Sequence, residues 1–188
     1  MRTTRELRIA LIAWGSLVYD PGDLPVGSAW RSDGPLLPVE FCRQSRDQRI
    51  TLVLTPGMPP VTTLWATLAV QDLEEARQLL ADREARPKKG STKIVGFWSP
   101  SAAAGTYTEE IGSWAQAHGL DAAVWTSLGP RFHDVDGRIP TVDEVVAHLR
   151  SQTGQKRETA ERYVRCVPAQ IRTQYRLAIE DALGWRPT

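Results

Sequence analysis

Three short stretches carry residue types that do chemistry. The first is residues 13–21, AWGSLVYDP. An apolar run ends there in Gly15-Ser16, and a strand that stops at a sheet rim presents backbone N–H groups that the next turn cannot all use. Gly15 lets a ligand approach the backbone closely, and Ser16 adds a hydroxyl donor, so this turn suits a carboxylate or a zwitterionic amino acid. The same letters also describe an ordinary strand-to-loop turn. The second stretch is residues 79–86, LLADREAR. At about 100° per residue, Leu73, Ala76, Leu79 and Leu80 form one apolar helix face, and Arg83 and Glu84 fall on or beside it in the last turn. A carboxylate held there is partly desolvated, which moves a carboxyl group toward the range useful for proton transfer. Periodicity does not choose between the two residues, and the pair could equally close the helix end as a salt bridge. Chemistry favours Glu84, because an arginine is never a base.

The third stretch, residues 41–49 (FCRQSRDQR), puts Arg43, Arg46 and Arg49 on one hairpin. One of them pointing inward could pair with a substrate carboxylate, while the others form a solvated rim. Weaker constellations follow. Residues 132–137 (FHDVDG) have metal-ligand spacing in His133, Asp134 and Asp136, but read more simply as a turn. Gly90-Ser91-Thr92-Lys93 has phosphate-loop letters in the wrong order. Cys42 could pair with His118, His133 or His148 as thiol and imidazole, although an inert cysteine is commoner.

The elements that must position these residues are strand-like in the first half and mostly helical in the second. Residues 8–14 form a continuous apolar run short enough for a buried strand, and 36–44, 50–55, 61–70, 93–99 and 122–126 are further strand candidates. Asp72 with Glu75 forms the start of a helix running to about Ala85. Thr108 caps a second helix, stopped at Gly119, and Thr141 with Glu144 repeats the capping pattern. Residues 157–167 and 168–183 are the last two helices, with Pro168 at a first helical position. Strands first, then helices around further strands, point to an α+β fold in a single domain.

The chain has 188 residues, 41% hydrophobic and 24% charged, so it can build a sizeable core. A formal charge of +1 gives no field for nucleic acid or membrane. No apolar stretch reaches membrane-span length, and the N-terminus lacks a signal-peptide layout. Two cysteines, Cys42 and Cys166, cannot make a disulfide framework. A cytoplasmic location is expected.

Together the first segments resemble the gamma-glutamylcyclotransferase superfamily, and most closely its ChaC-type, glutathione-degrading branch. Members open on a strand followed by Tyr-Gly-Ser-Leu, matched here by Trp14-Gly15-Ser16-Leu17. Phe41 to Arg49 and then Pro56-Gly57 follow in the family's order. Leu80-Ala81-Asp82-Arg83-Glu84 matches the Leu-x-x-Arg-Glu signature that carries the family's catalytic glutamate. The resemblance covers residues 8–99. Trp14 stands in place of the family's tyrosine, the Gly-Tyr that should follow the glutamate is absent, and residues 105–188 are a divergent part of the same domain. The resemblance implies a mixed, largely closed β-barrel with surrounding helices. It also implies a small-molecule gamma-glutamyl substrate, Glu84 as catalytic acid and base, and Trp14, Gly15, Ser16, Leu17 and Arg43 as substrate-binding residues. The amine of the glutamyl group attacks its own gamma-carbonyl to give 5-oxoproline, which calls for no metal and no cofactor. A binding module on the same fold, without turnover, is the alternative.

Overall fold

A computed structural model describes residues 6–188. The strands are β1 (Ile9–Ala13), β2 (Leu36–Leu37), β3 (Val39–Gln44), β4 (Ile50–Leu54), β5 (Val61–Thr62) and β6 (Leu64–Leu68), then β7 (Val95–Ser99), β8 (Ala102–Ala104), β9 (Ala122–Thr126), β10 (Arg131–Phe132) and β11 (Val135–Asp136). The helices are α1 (Ser16–Tyr19), α2 (Leu73–Ala85), α3 (Thr108–Ala117), α4 (Val142–Ser151), α5 (Gly154–Cys166) and α6 (Gln174–Leu183), with a 3₁₀ turn over Thr92–Ile94. The architecture is α+β, and the chain forms two compact units.

The first unit takes Pro21–Pro35 and Thr63–Ser127 together with the N-terminal strand. Its sheet runs β6-β1-β9-β7-β8, with β1 antiparallel to β6 and parallel to β9. All five residues of β1 are buried, as an unbroken IALIA run in a central strand requires. Helices α2 and α3 pack on β7 and β9. Asp72 accepts the N–H of Glu75 at the start of α2, and Ala76, Leu80 and Ala81 form its buried side. The outer edge of β6 is met by two single bridges, Val26 to Leu68 and Arg31 to Trp65.

The second unit comprises Trp14–Asp20, Leu36–Thr62 and Leu128–Thr188. It holds a four-stranded sheet, β11-β10-β3-β4, and the short pair β2-β5. Helix α6 packs on β3, and α4 packs on α6. Thr141 and Glu144 complete a reciprocal capping box at α4.

Several expectations need correction. The described strands pair in three separate sheets, and no closed barrel is found among them. Periodicity reports which residues are buried but not which strands pair, so closure was beyond its reach. The expected helix from Pro168 starts only at Gln174, capped by Thr173. Residues 168–173 form turns, and the Arg176 guanidinium takes the carbonyls of Pro168 at 2.6 Å and Ile171 at 3.0 Å. Thr108 is the first residue of α3 and not its cap, which is Tyr107 in left-handed conformation. Pro38 separates β2 from β3, and Thr63 separates β5 from β6. The 132–137 segment, by contrast, is a turn as read, the β10–β11 hairpin, in which His133 (φ 49°) and Asp134 (φ 59°) supply the two left-handed residues.

Candidate functional site

Five of the six residues singled out in the sequence, Trp14, Gly15, Ser16, Leu17 and Arg43, belong to the second unit, and Glu84 belongs to the first. In the second unit the chain leaves Trp14 and turns at Gly15 into α1. Val18 N–H closes back on the Gly15 carbonyl at 3.1 Å, and Asp20 N–H on that of Ser16 at 2.8 Å. Trp14, Gly15 and Leu17 are buried, and Ser16 is half-buried. The turn is fixed at one residue of β4. The Trp14 indole Nε1 donates to the Leu52 carbonyl at 3.2 Å, and the Leu52 N–H donates to the Tyr163 hydroxyl at 3.0 Å. Strand β4 ends its sheet, so the N–H and carbonyl of Leu52 are satisfied by two side chains and not by another strand. The Tyr163 hydroxyl also occupies the space that a side chain on Gly15 would need, 2.7 Å from an ideal Cβ. Gly15 is therefore required for packing, whatever else the turn binds.

Arg43 is half-buried on β3 and donates to the Gly129 carbonyl at 2.9 Å. Burial lowers its pKa from the ordinary arginine value, the Arg131 charge acts the same way, and Asp136 opposes them. Of the other hairpin arginines, Arg49 pairs with Asp47 at 2.7 Å and lies over the Tyr163 ring, 5.5 Å from its centroid. Arg46 is exposed.

In the first unit Glu84 occupies the last turn of α2. Arg83 donates to its Oε1 at 2.8 Å, and the two side chains are only 10% and 17% exposed. The segment after the helix folds back onto this turn: Gly90 N–H donates to Asp82 at 2.7 Å, and a side chain at position 90 would collide with the Ala81 carbonyl. That backbone hydrogen bond is the main cause holding the Asp82 carboxyl below its ordinary pKa. Ser91 caps the 3₁₀ turn by accepting the Lys93 N–H.

No protein family and no curated protein matches the chain. Among solved structures the chain is similar to a gamma-glutamyl cyclotransferase specific to glutathione, from yeast. The identity is 13%, the alignment covers 94% of this chain and 98% of that one, and the TM-score is 0.45.

Other chemistry-bearing groups have structural work. Cys42 is fully buried, and burial pushes its thiol up to about 12, so it is no nucleophile at neutral pH. His148 Nε2 bonds the Gln48 carbonyl at 2.8 Å. His133 stacks on Phe132, and its N–H donates to Gln44. Among the described residues no group of three metal-binding side chains converges, and no helix is long and apolar enough to cross a membrane.

Sequence reasoning missed Tyr163, Leu52 and Glu40. Tyr163 falls with Ala160, Val164 and Val167 on one buried face of the α5 segment, so its burial was legible, but the target of its hydroxyl was not. Glu40 is 1% exposed on β3 and accepts the N–H groups of Phe41 (2.8 Å) and Tyr175 (3.2 Å) and the hydroxyl of Thr173. It closes the N-terminus of α6 from the sheet side.

Proposed function

We propose that this single-domain, cytoplasmic protein is a cyclotransferase that converts a gamma-glutamyl peptide or amine, glutathione being the first compound to test, into 5-oxoproline and the free amine. The Gly15-Ser16 turn, flanked by Trp14 and Leu17, holds the glutamyl head group, and Arg43 pairs with its carboxylate. Glu84 takes a proton from the alpha-amine as that nitrogen attacks the gamma-carbonyl. The new carbon–nitrogen bond closes a five-membered ring. Collapse of the tetrahedral intermediate breaks the original amide bond, and Glu84 returns the proton to the departing nitrogen. Attacking and attacked atoms lie in one molecule, so holding the chain folded supplies an effective-molarity gain of several kcal/mol, within the ~7–11 kcal/mol ceiling for such reactions. As written, the step balances without metal, redox partner or water.

The observation that supports this reading is a carboxyl side chain paired with Arg83 and withdrawn from solvent in the last turn of α2, within Leu80-Ala81-Asp82-Arg83-Glu84, the stretch that resembles the Leu-x-x-Arg-Glu signature. The Arg83–Glu84 pair also favours a second reading, in which the pair is purely structural and the protein binds an acidic metabolite without turnover. Incubating the protein with a panel of gamma-glutamyl compounds and assaying 5-oxoproline, beside Glu84→Gln, decides between them. The enzyme reading expects 5-oxoproline from wild type and a fall of about 10²–10⁴-fold in the variant. Equal rates in both proteins remove Glu84 from the mechanism, and no product from any compound leaves the binding module.

A further inference from the structure

We infer that Tyr163 is the positioning residue of the Gly15-Ser16 turn, setting its conformation from beneath and through β4. This rests on the turn being the glutamyl-binding element proposed above. Three contacts within the second unit carry it. The Tyr163 hydroxyl lies 2.7 Å from the ideal Cβ position of Gly15, closer than real Cβ contacts come. The same hydroxyl accepts the Leu52 N–H at 3.0 Å, while the Leu52 carbonyl accepts from the Trp14 indole at 3.2 Å. Residues 14 and 15 are thus both referred to the backbone of one residue, Leu52, of an edge strand.

The tyrosine cannot easily yield. It is 4% exposed, Phe41 meets its ring edge-on at 6.2 Å, and the Arg49 guanidinium covers it. Its hydroxyl is a fixed stop under the turn. Removing that one oxygen opens the space: the next Tyr163 atom, Cζ, is 3.7 Å from the Gly15 Cβ position, an ordinary van der Waals distance. Tyr163 and Gly15 are therefore coupled with a sign that structure alone dictates. A methyl on Gly15 is tolerated only when the hydroxyl is gone.

The test is a double-mutant cycle of Gly15→Ala and Tyr163→Phe. It is read in urea unfolding, in the backbone amide resonances of Gly15 and Ser16, and in kcat and KM for whichever gamma-glutamyl compound the wild type turns over. Tyr163→Phe should shift both amide resonances and raise KM about tenfold, the effect of one buried hydrogen bond, with little change in kcat. Gly15→Ala should lose about 10²-fold in kcat/KM, as ångström-scale misplacement does. The double variant should unfold at higher urea than Gly15→Ala alone and regain about tenfold in kcat/KM, the gain coming from the relieved contact. Additive losses, unmoved amide resonances or an unchanged KM in Tyr163→Phe would overturn the assignment. A wild type that makes no 5-oxoproline refutes the cyclotransferase reading by itself. The unfolding and resonance arms still decide whether Tyr163 sets the turn.

Discussion

Arg83 donates to the neighbouring carboxylate of Glu84 at 2.8 Å, and both side chains are largely withdrawn from water. Adjacent residues on a helix diverge by about 100°, so the pair forms across that angle by the reach of the two long side chains. The two partners should fail differently when replaced. Glu84→Gln keeps an acceptor oxygen for Arg83 and should cost under about 1 kcal/mol of stability. Arg83→Met leaves a part-buried carboxylate without its counter-charge and should cost about 2 kcal/mol, less than for full burial because some exposure remains. Urea unfolding of both variants checks this. Equal stability losses would show that the pair contributes nothing beyond its packing.

Glu40 gives the stability a defined pH dependence. Burial raises its carboxyl above the ordinary value of 4.5, and the hydrogen bonds from Thr173, Phe41 and Tyr175 offset only part of that. The native state therefore keeps a proton at pH values where the unfolded chain has released it. The stabilisation this supplies is full below the unfolded value and is lost as pH rises through the folded value. Glutamine at this position does not titrate, so the stability difference between wild type and Glu40→Gln should move against wild type as pH rises from about 4.5 upward. Unfolding free energies at several pH values between 4 and 7 measure it. A difference that is flat, or that moves toward wild type, contradicts the direction of the shift.

Arg176 should be among the least replaceable residues of the second unit. It is 1% exposed and donates to the carbonyls of Pro168, Ile171 and Val167 at 2.6, 3.0 and 2.9 Å, while its Nε meets Glu180 at 3.0 Å. One planar fork thus ties α6 to the end of α5. Arg176→Met takes a donor from three carbonyls and a carboxylate and should cost about 3–5 kcal/mol. Arg176→Lys should recover little of it, because a single ammonium cannot reach the same set. If lysine restored wild-type stability in urea, charge alone and not the fork would be what matters.

How far these features were legible follows from what a sequence encodes locally. Helix α2 was readable to its ends because Asp72 and the 3.6-residue apolar spacing act within the segment itself. Residues 168–173 were not. Pro168 is compatible with a first helical turn, and the side chain that takes its carbonyl lies beyond the segment, at Arg176. Position 15 was legible as a glycine turn, but the reason for the glycine is a hydroxyl from α5, a contact no local pattern records. Strand pairing belongs to the same class: the apolar runs of β3 and β4 mark them as buried strands and leave their partners open.

Two equally buried tryptophans offer the last prediction. Trp65 and Trp125 are both 0% exposed, one on β6 and one on β9. Trp65 donates through Nε1 to Asp33 at 2.8 Å, contacts Trp114 and His118 edge-on, and lies under Arg31. The Nε1 of Trp125 is buried with no hydrogen-bond partner among the described residues, and its ring fills the space that a side chain on Gly96 would need. Replacing either by phenylalanine removes a ring of packing. At Trp65 it also removes a hydrogen bond, whereas at Trp125 it removes an N–H that was desolvated without compensation, and these two effects have opposite signs. Trp65→Phe should therefore cost more than Trp125→Phe by about 1–3 kcal/mol in urea unfolding. Equal losses, or a larger one at Trp125, would mean that its N–H is satisfied in solution, by water or by a neighbour that moves to meet it.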